Sequence, residues 1–455
     1  MGTNRAVVLG GSLAGLLAAR VLADFFDEVV VAERDVLPSK ISNRRGVPQG
    51  RHVHLLWGRG LSILEDLFPG LIDGLTDAGA PRFDGDLSQV YFNNGGHPLP
   101  TSGHFDDFQF VLPSRPLLEG YVRQRVRSTG NIDLRDGHDV VELATKQERI
   151  SGAVLRPREN ETGDAPDEIV DADLVVDAMG RAGRTPALLE SLGYGRPPED
   201  SLDVRLMYSS VPVRVPTGAL QEVAVVIGPV PGRPTGMAIF ANEDNTWMLT
   251  VSGMAGVQPP NELGAMVTFI EKFTPSHVVE ALRASEVVGE GAQHRMPATR
   301  WRRYDKLKRW PAGLLVIGDA ICSLNPIYAQ GMTVAALEAE LLQQCLRHGQ
   351  DRLQQRYFRG TAKPVGNAWQ LATGADLSLP EIVGPRPLPV RIANEYVRRV
   401  QAAARTDATI AQRLARAVGL IDPTTRLMSP QVAVRVAAHG LKRPRLTPMS
   451  QSTVR

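Results

Sequence analysis

The feature that most constrains this chain lies near its start, where Ala6-Val7-Val8-Leu9 runs straight into Gly10-Gly11-Ser12-Leu13-Ala14-Gly15. A short apolar run of this kind fits a strand buried on both faces of a parallel sheet. Leu16, Ala19, Val21 and Leu22 follow at helical spacing. The combination predicts a strand, a tight turn and a helix. Gly10 permits the turn, Ser12 is small enough for backbone to approach a pyrophosphate, and Gly15 with Ala19 lets the helix pack closely on the sheet. Leu13 and Ala14 open that helix, whose N-terminus offers free amide hydrogens and a positive dipole to phosphate oxygens. A second apolar run, Glu28-Val29-Val30-Val31-Ala32, ends at Glu33-Arg34. Glu33 stands about 20 residues on, where a carboxylate takes ribose hydroxyls. An acid there suits an unphosphorylated ribose, so the adenosine diphosphate half of NAD or FAD is the expected ligand. The uncharged run after Arg5 also has the look of a signal-peptide core, but strand, turn and helix account for it more fully.

Composition removes several classes. A length of 455 residues exceeds one ordinary domain and predicts two or three. Lys+Arg 51 against Asp+Glu 49 leaves a net charge of +2, which argues against a nucleic-acid partner. Cys322 and Cys345 offer neither a disulfide scaffold nor a multi-cysteine metal site, and a reducing cytoplasm is the expected compartment. No apolar run reaches the ~18–20 residues of a membrane span.

Residues 311–346 choose between the dinucleotides. Gly313-Leu314-Leu315-Val316-Ile317-Gly318-Asp319-Ala320 reads as a buried strand delivering a carboxylate, and Asn325-Pro326-Ile327-Tyr328-Ala329-Gln330-Gly331-Met332 reads as a proline turn that opens a helix. That helix continues through Val334, Leu337, Leu341 and Leu346. FAD has a ribityl chain whose hydroxyls want an acceptor, and a ring edge that turns negative on reduction. A carboxylate at Asp319 and a helix N-terminus at Gly331 and Met332 meet both needs.

With these motifs in place the chain resembles the FAD monooxygenases of the p-hydroxybenzoate-hydroxylase type. The resemblance covers roughly residues 1–365. It implies an α/β fold: a Rossmann-like FAD domain of the glutathione-reductase type, an inserted and mostly antiparallel substrate sheet, and a C-terminal helical segment. It assigns Asp319 to the ribityl chain and places backbone at Pro326, Gly331 and Met332 along the flavin. Arg44-Arg45-Gly46-Val47-Pro48-Gln49 resembles the loop carrying an FAD-contacting arginine, which points to Arg45 and Val47. Ser114-Arg115-Pro116-Leu117-Leu118 resembles the helix start that meets FAD ribose and pyrophosphate, which points to Arg115. Within the family, Gly46-Val47-Pro48-Gln49 with His52, His54 and Trp57, the Asn325–Tyr328 turn, residues 369–376 and Val175-Val176-Asp177-Ala178-Met179-Gly180-Arg181 are similar to bacterial epoxidases of polyene polyketides in polyether antibiotic pathways. The implied reaction is epoxidation of a polyketide or terpenoid double bond with O2. Hydroxylation of a phenol and the redox-neutral or reductive chemistry of a cyclase or prenyl reductase are the alternatives.

One position departs from the family. Aromatic hydroxylases carry Asp before the glycine where this chain has Met179. That aspartate serves both FAD and the nicotinamide cofactor, so NADPH or NADH is expected either to dock transiently on the flavin face or to act through a flavin reductase. Flavin halogenases need a Trp-x-Trp pair, whereas Trp57, Trp247, Trp301, Trp310 and Trp369 are nowhere two apart. His52 and His54 would share one face of a strand, but no third ligand accompanies them, and no metal is expected. His54, Tyr208 and Tyr328 are the candidates for lining the substrate cavity. No residue shows a base motif, so none is assigned to catalysis, and this favours an alkene over a phenol, whose hydroxylation benefits from a base. Cys322 reads as a packing residue and Lys442-Arg443-Pro444-Arg445 as a solvated patch.

The expected domains are a discontinuous FAD domain over 1–85, 110–200 and 290–365, a substrate sheet over 86–109 and 201–289, and a helical region over 366–455. Strands are expected near residues 89–96, 223–228 and 247–252, and helices at 262–273 and 277–284. After Pro380, Pro385 and Pro387 come a helix marked by Ile392, Val397 and Val400, one begun by Asp407, and one begun by Ser429-Pro430.

Overall fold

A computed structural model describes residues 4–106, 108–158 and 166–441. The patch at Lys442–Arg445 lies outside the described residues.

Two large sheets contribute residues to one cavity. The first has five parallel strands in the order Leu314–Val316, Leu174–Asp177, Arg5–Leu9, Glu28–Ala32, Ile132–Arg135. The interior residues of the first four are almost wholly buried, as continuous Val/Leu runs require when both faces are covered, while the edge strand Ile132–Arg135 is half-buried. The helix Leu13–Leu22 lies on one face, its Leu16, Leu17, Ala18 and Ala19 fully buried. The helix Gly331–Arg347 packs against it. A three-stranded antiparallel sheet, His138–Lys146, Arg149–Pro157 and Glu168–Asp171, is added beside this layer.

The second sheet has nine strands, and its centre is Glu199–Arg214, Trp247–Gly253, Thr235–Ala241 and Ala224–Ile227. Its pairings are antiparallel except for Ala224–Ile227 against Val90–Asn94. The alternation of the strands gives it two different faces. One buries Val211, Val213, Ile227, Met237, Ile239 and Val251 against the helices Leu263–Ile270 and Ser276–Arg283. The other faces the cavity.

Beyond the sheets the helix Leu353–Ser378 runs unbroken across residue 365, with Pro364 inside it. The expected start of the helical region at residue 366 falls inside this helix. The helix Leu388–Ala404 follows the proline-rich turn. Asp407 caps the helix Ala408–Val418 by accepting from the amides of Thr409 and Ile410 at 3.0 and 3.2 Å. The last helix is Pro430–Leu441. The helix Leu353–Ser378 packs on the helix Gly331–Arg347 and the core of the first sheet, while the later helices place Val400, Ile410 and Ala411 in one apolar cluster with Trp57, Phe108 and Phe240. No helix among the described residues is long and apolar enough to cross a membrane.

Candidate functional site

A cavity of about 1210 Å³ opens between the two sheets. Single-ligand pockets run to about 300–1,000 Å³, so there is room for a dinucleotide and a second molecule together.

One end is built on the first turn of the chain. Gly10 has φ +103°, and a Cβ on it would stand 2.7 Å from the Ala178 carbonyl oxygen. A Cβ on Gly15 would run into the Gly10 carbonyl oxygen itself. Only glycine lets strand and helix approach this closely. Ser12 precedes the helix without capping it; its hydroxyl instead accepts from Arg115 Nη2 at 3.1 Å. The first-turn amides therefore stay available to an anion in the cavity.

Behind this loop is a buried charge network. Glu33 accepts from the Gly11 amide through one oxygen and from the Asp35 amide through the other, both at 2.9 Å. Arg44 lies 3.2 Å from Glu33, 3.0 Å from Asp35 and 2.7 Å from Glu119, and it also donates to the Gly11 carbonyl. Its side chain and those of the three acids are at most 7% exposed. Burial pushes the Glu119 carboxyl up, but Arg115 and Arg44 outweigh it and hold Glu119 below its usual value. Arg115 bonds Glu119 and also reaches Met332 Sδ at 2.7 Å, which ties the first loop to the helix Gly331–Arg347.

Across the cavity, Gly318 turns at φ +69° with Ala14 against it, and its amide donates to Glu338 at 2.5 Å. Burial raises the Glu338 carboxyl to about 8, so it carries a proton at neutral pH. Asp319 is exposed to the cavity, with protein packed closely around it. Burial raises its carboxyl, and Arg115 and Arg181 counter that. Asp177, two residues before Met179, accepts from the Met179 amide at 2.8 Å and the Thr185 hydroxyl at 2.5 Å. The acid of this segment thus braces the loop from within, and Met179 faces the cavity.

Away from these loops the wall is mostly apolar, with Arg181 and Asp319 close enough to act on the Tyr208 hydroxyl. Trp57, Phe92, Phe108, Ala238, Phe240, Leu414 and Val418 form most of it. At its inner edge His52 Nδ1 is 2.7 Å from Ser210 Oγ, which is 2.6 Å from Thr250 Oγ1. Tyr208 packs edge-on to His52 with ring centres 4.4 Å apart, and His294 stands 5.4 Å from Tyr208. Burial lowers His52 to about 3 and His54 to about 4 and raises Tyr208, so all three are neutral at pH 7. His52 and His54 lie in irregular backbone after the 3₁₀ turn Pro48–Arg51 rather than on a strand, and His54 Nδ1 donates to the His52 carbonyl at 2.9 Å.

Gly10, Ser12, Leu13, Ala14, Glu33, Arg34, Arg45, Arg115, Asp319, Pro326, Gly331 and Met332 all line this one cavity, with His54, Tyr208 and Tyr328. Gly15 and Val47 do not. Gly15 is taken up by helix packing, and Val47 is a buried side chain behind the loop. The residues missed are Arg44, Glu119 and the helix Ala408–Val418. Adjacent arginines look alike in sequence, and nothing local marks Arg44 as the one turned inward. The glycine cradle, the open helix N-termini and the buried acid–arginine pairs fit an FAD-sized dinucleotide.

No protein-family model matches the chain. Kynurenine 3-monooxygenase of Salinispora arenicola is 25% identical over 366 residues, covering 77% of this chain and 74% of that protein. Among solved structures, p-nitrophenol 4-monooxygenase PnpA from Pseudomonas putida superposes with a TM-score of 0.63 at 14% identity, covering 92% of this chain and 99% of the other. The flavin-dependent brominase Bmp2 gives 0.65 at 14% identity, covering 97% and 99%. These two share the fold: a parallel sheet, an antiparallel sheet and C-terminal helices. The Mycobacterium tuberculosis protein Rv3254 is 36% identical over 447 residues, covering 96% of this chain and 94% of that protein. The chain therefore belongs to the family of protein Rv3254, carried on the fold of the flavin-dependent monooxygenases and halogenases.

Proposed function

We propose that this chain is an FAD-dependent monooxygenase that transfers one atom of O2 to a neutral, lipophilic substrate, epoxidising a double bond of a polyketide or terpenoid. The observation that carries this reading is one cavity with the glycine-rich first turn at one end and a mostly apolar, aromatic-lined wall at the other. The likeness to kynurenine 3-monooxygenase supports the class of reaction.

FAD, when bound and reduced, supplies the activation of O2 and the oxygen transfer. The chain's own residues bind, orient and exclude water. The amides of Leu13 and Ala14 take the pyrophosphate, and Glu33, Arg34 and Arg45 border the adenosine end. Arg115 joins the two loops, while Gly15 and Val47 support the site from behind. Asp319 accepts from the ribityl hydroxyls. The helix start at Gly331 and Met332 stabilises negative charge on the ring edge beside it. Met179 leaves no carboxylate at this position for a nicotinamide, so electrons for FAD held here would come from NADPH or NADH docking transiently, or through a flavin reductase.

The apolar wall chooses the substrate. A zwitterionic amino acid such as kynurenine would need fixed charges that Trp57, Phe92, Phe108 and Phe240 do not provide. Phenol hydroxylation is the second reading, favoured by the PnpA-like fold. His52, held near 3, is a weak acceptor for a phenolic proton that leaves near pH 10, and this places an alkene first. Halogenation is not supported: flavin halogenases need a lysine that carries the halogen, and no lysine lines the cavity among the described residues.

Asp319→Ala is expected to weaken FAD binding by about 1–3 kcal/mol, the worth of a charged hydrogen bond. Titration of apoprotein with FAD, followed by flavin fluorescence, measures it. Unchanged affinity would remove Asp319 from the cofactor site.

A further inference from the structure

Residues 369–376 resemble a motif but contribute nothing to the cavity wall. The last of them, Asp376, stands in the final turn of the helix Leu353–Ser378 and is fully buried. One carboxyl oxygen accepts twice, from Tyr328 Oη at 2.8 Å and from Asn325 Nδ2 at 2.9 Å. Both donors belong to the turn that leads into Gly331 and Met332. Asn325 is itself fully buried and also accepts from the Ile327 amide at 3.2 Å. The Tyr328 carbonyl accepts from Trp57 Nε1 at 3.2 Å. The second oxygen of Asp376 has no hydrogen-bond partner.

We propose that Asp376 is the positioning residue of the cavity turn, its carboxyl holding Asn325 and Tyr328 so that residues 325–332 keep the shape that receives the cofactor. The reason for an acid at this place is the unusual balance of its two states. Ionised, it gains charge-assisted bonds from both donors but is a buried charge with no cation beside it. Protonated, it loses that charge but leaves its new proton without an acceptor. The titratable group that acts on it is Tyr328, which donates to it; Arg386, further along the chain, spends its guanidinium on the carbonyls of Leu377, Leu379, Ile382 and Gly384. Burial is the larger effect and lifts the carboxyl to about 7, against the pull of Tyr328 and Asn325.

The sign follows from linkage. When the turn opens, water reaches Asp376 and its carboxyl returns towards the ordinary range near 4. The closed turn therefore binds a proton that the open turn does not. Closure is favoured most below about pH 4, loses ground as pH rises to about 7, and levels off above that.

Two readouts test this in the full chain. Hydrogen exchange of residues 325–332 in the apoprotein, corrected for intrinsic rates, should show protection falling by about tenfold or more between pH 5 and 7.5 and then levelling. FAD affinity should fall over the same window. Asp376→Asn should flatten both profiles relative to wild type. Tyr328→Phe removes a bond that favours the ionised form, so it should move both windows to higher pH, and it serves if Asp376→Asn fails to fold. Wild-type exchange that is flat with pH, or the same profile in wild type and Asp376→Asn, would overturn the proposal. So would an unmoved window in Tyr328→Phe. Only the affinity arm rests on the FAD reading. A chain that binds no FAD yet shows the exchange profile would sink that reading and leave Asp376 as the anchor of the turn.

Discussion

Gly15→Val is expected to yield protein that is insoluble or, if folded, colourless. The new Cβ would occupy the position of the Gly10 carbonyl oxygen, and Ala178 Cβ lies at 3.3 Å on the same side. A clash with backbone is not relieved by a rotamer change. Either the helix Leu13–Leu22 lifts from the strand Arg5–Leu9, or the turn at Gly10 is lost. Overpacking of cores costs about 1–3 kcal/mol where side chains can shift, and here they cannot. Both outcomes destroy the loop, so the loss appears in soluble yield and in flavin absorbance per chain. A soluble Gly15→Val protein with a full flavin complement would remove the nucleotide reading of residues 6–33.

Arg44→Ala should be nearly as damaging, for an electrostatic reason. Arg44 is the shared cation of Glu33, Asp35 and Glu119, all almost wholly buried. Removing one partner of a buried pair leaves an uncompensated charge and costs about 3–5 kcal/mol. A whole domain is stable by only about 5–15 kcal/mol. Glu119 keeps Arg115 at 3.2 Å, but Glu33 and Asp35 have no comparable replacement. Denaturant unfolding of apoprotein should show the loss directly. Arg44→Lys should not restore stability, since one ammonium cannot reach three carboxylates and the Gly11 carbonyl together. Unchanged stability in Arg44→Ala would contradict the network described.

The parts of the site that were legible in the sequence are those encoded by neighbours in the chain. Strand, Gly10 turn and helix form one local unit, and so do the strand at Leu314–Val316 and the helix at Gly331–Arg347. Caps are local too, which is why Asp407 and Pro430 marked their helices. What stayed hidden depends on contacts between distant segments. The Asn325–Asp376 bond spans 51 residues and the Arg44–Glu119 bond 75. Neither leaves a periodic trace. The start and continuity of the helix Leu353–Ser378 were not legible because Gly360, Pro364, Gly366 and Gly374 all lie within it, and each weakens a helical reading. It persists because Tyr357, Phe358, Val365 and Ala368 bury a continuous stripe. The wall formed by Leu414 and Val418 was likewise beyond reach, since an amphipathic helix shows that it has a buried face but not what that face covers.

The central claim is that this cavity joins FAD, O2 and a neutral lipophilic molecule. It is tested most directly by single-turnover oxidation under isotopically labelled O2. Protein loaded with FAD and reduced chemically without air is mixed with a neutral polyene, exposed to labelled O2, and the product is weighed by mass spectrometry. The account predicts one labelled oxygen in an epoxide, with the other released as water. A phenolic product from an aromatic probe under the same conditions would keep the monooxygenase and replace the epoxidase. Oxygen drawn from unlabelled water, or product formed equally well without O2, would contradict the account.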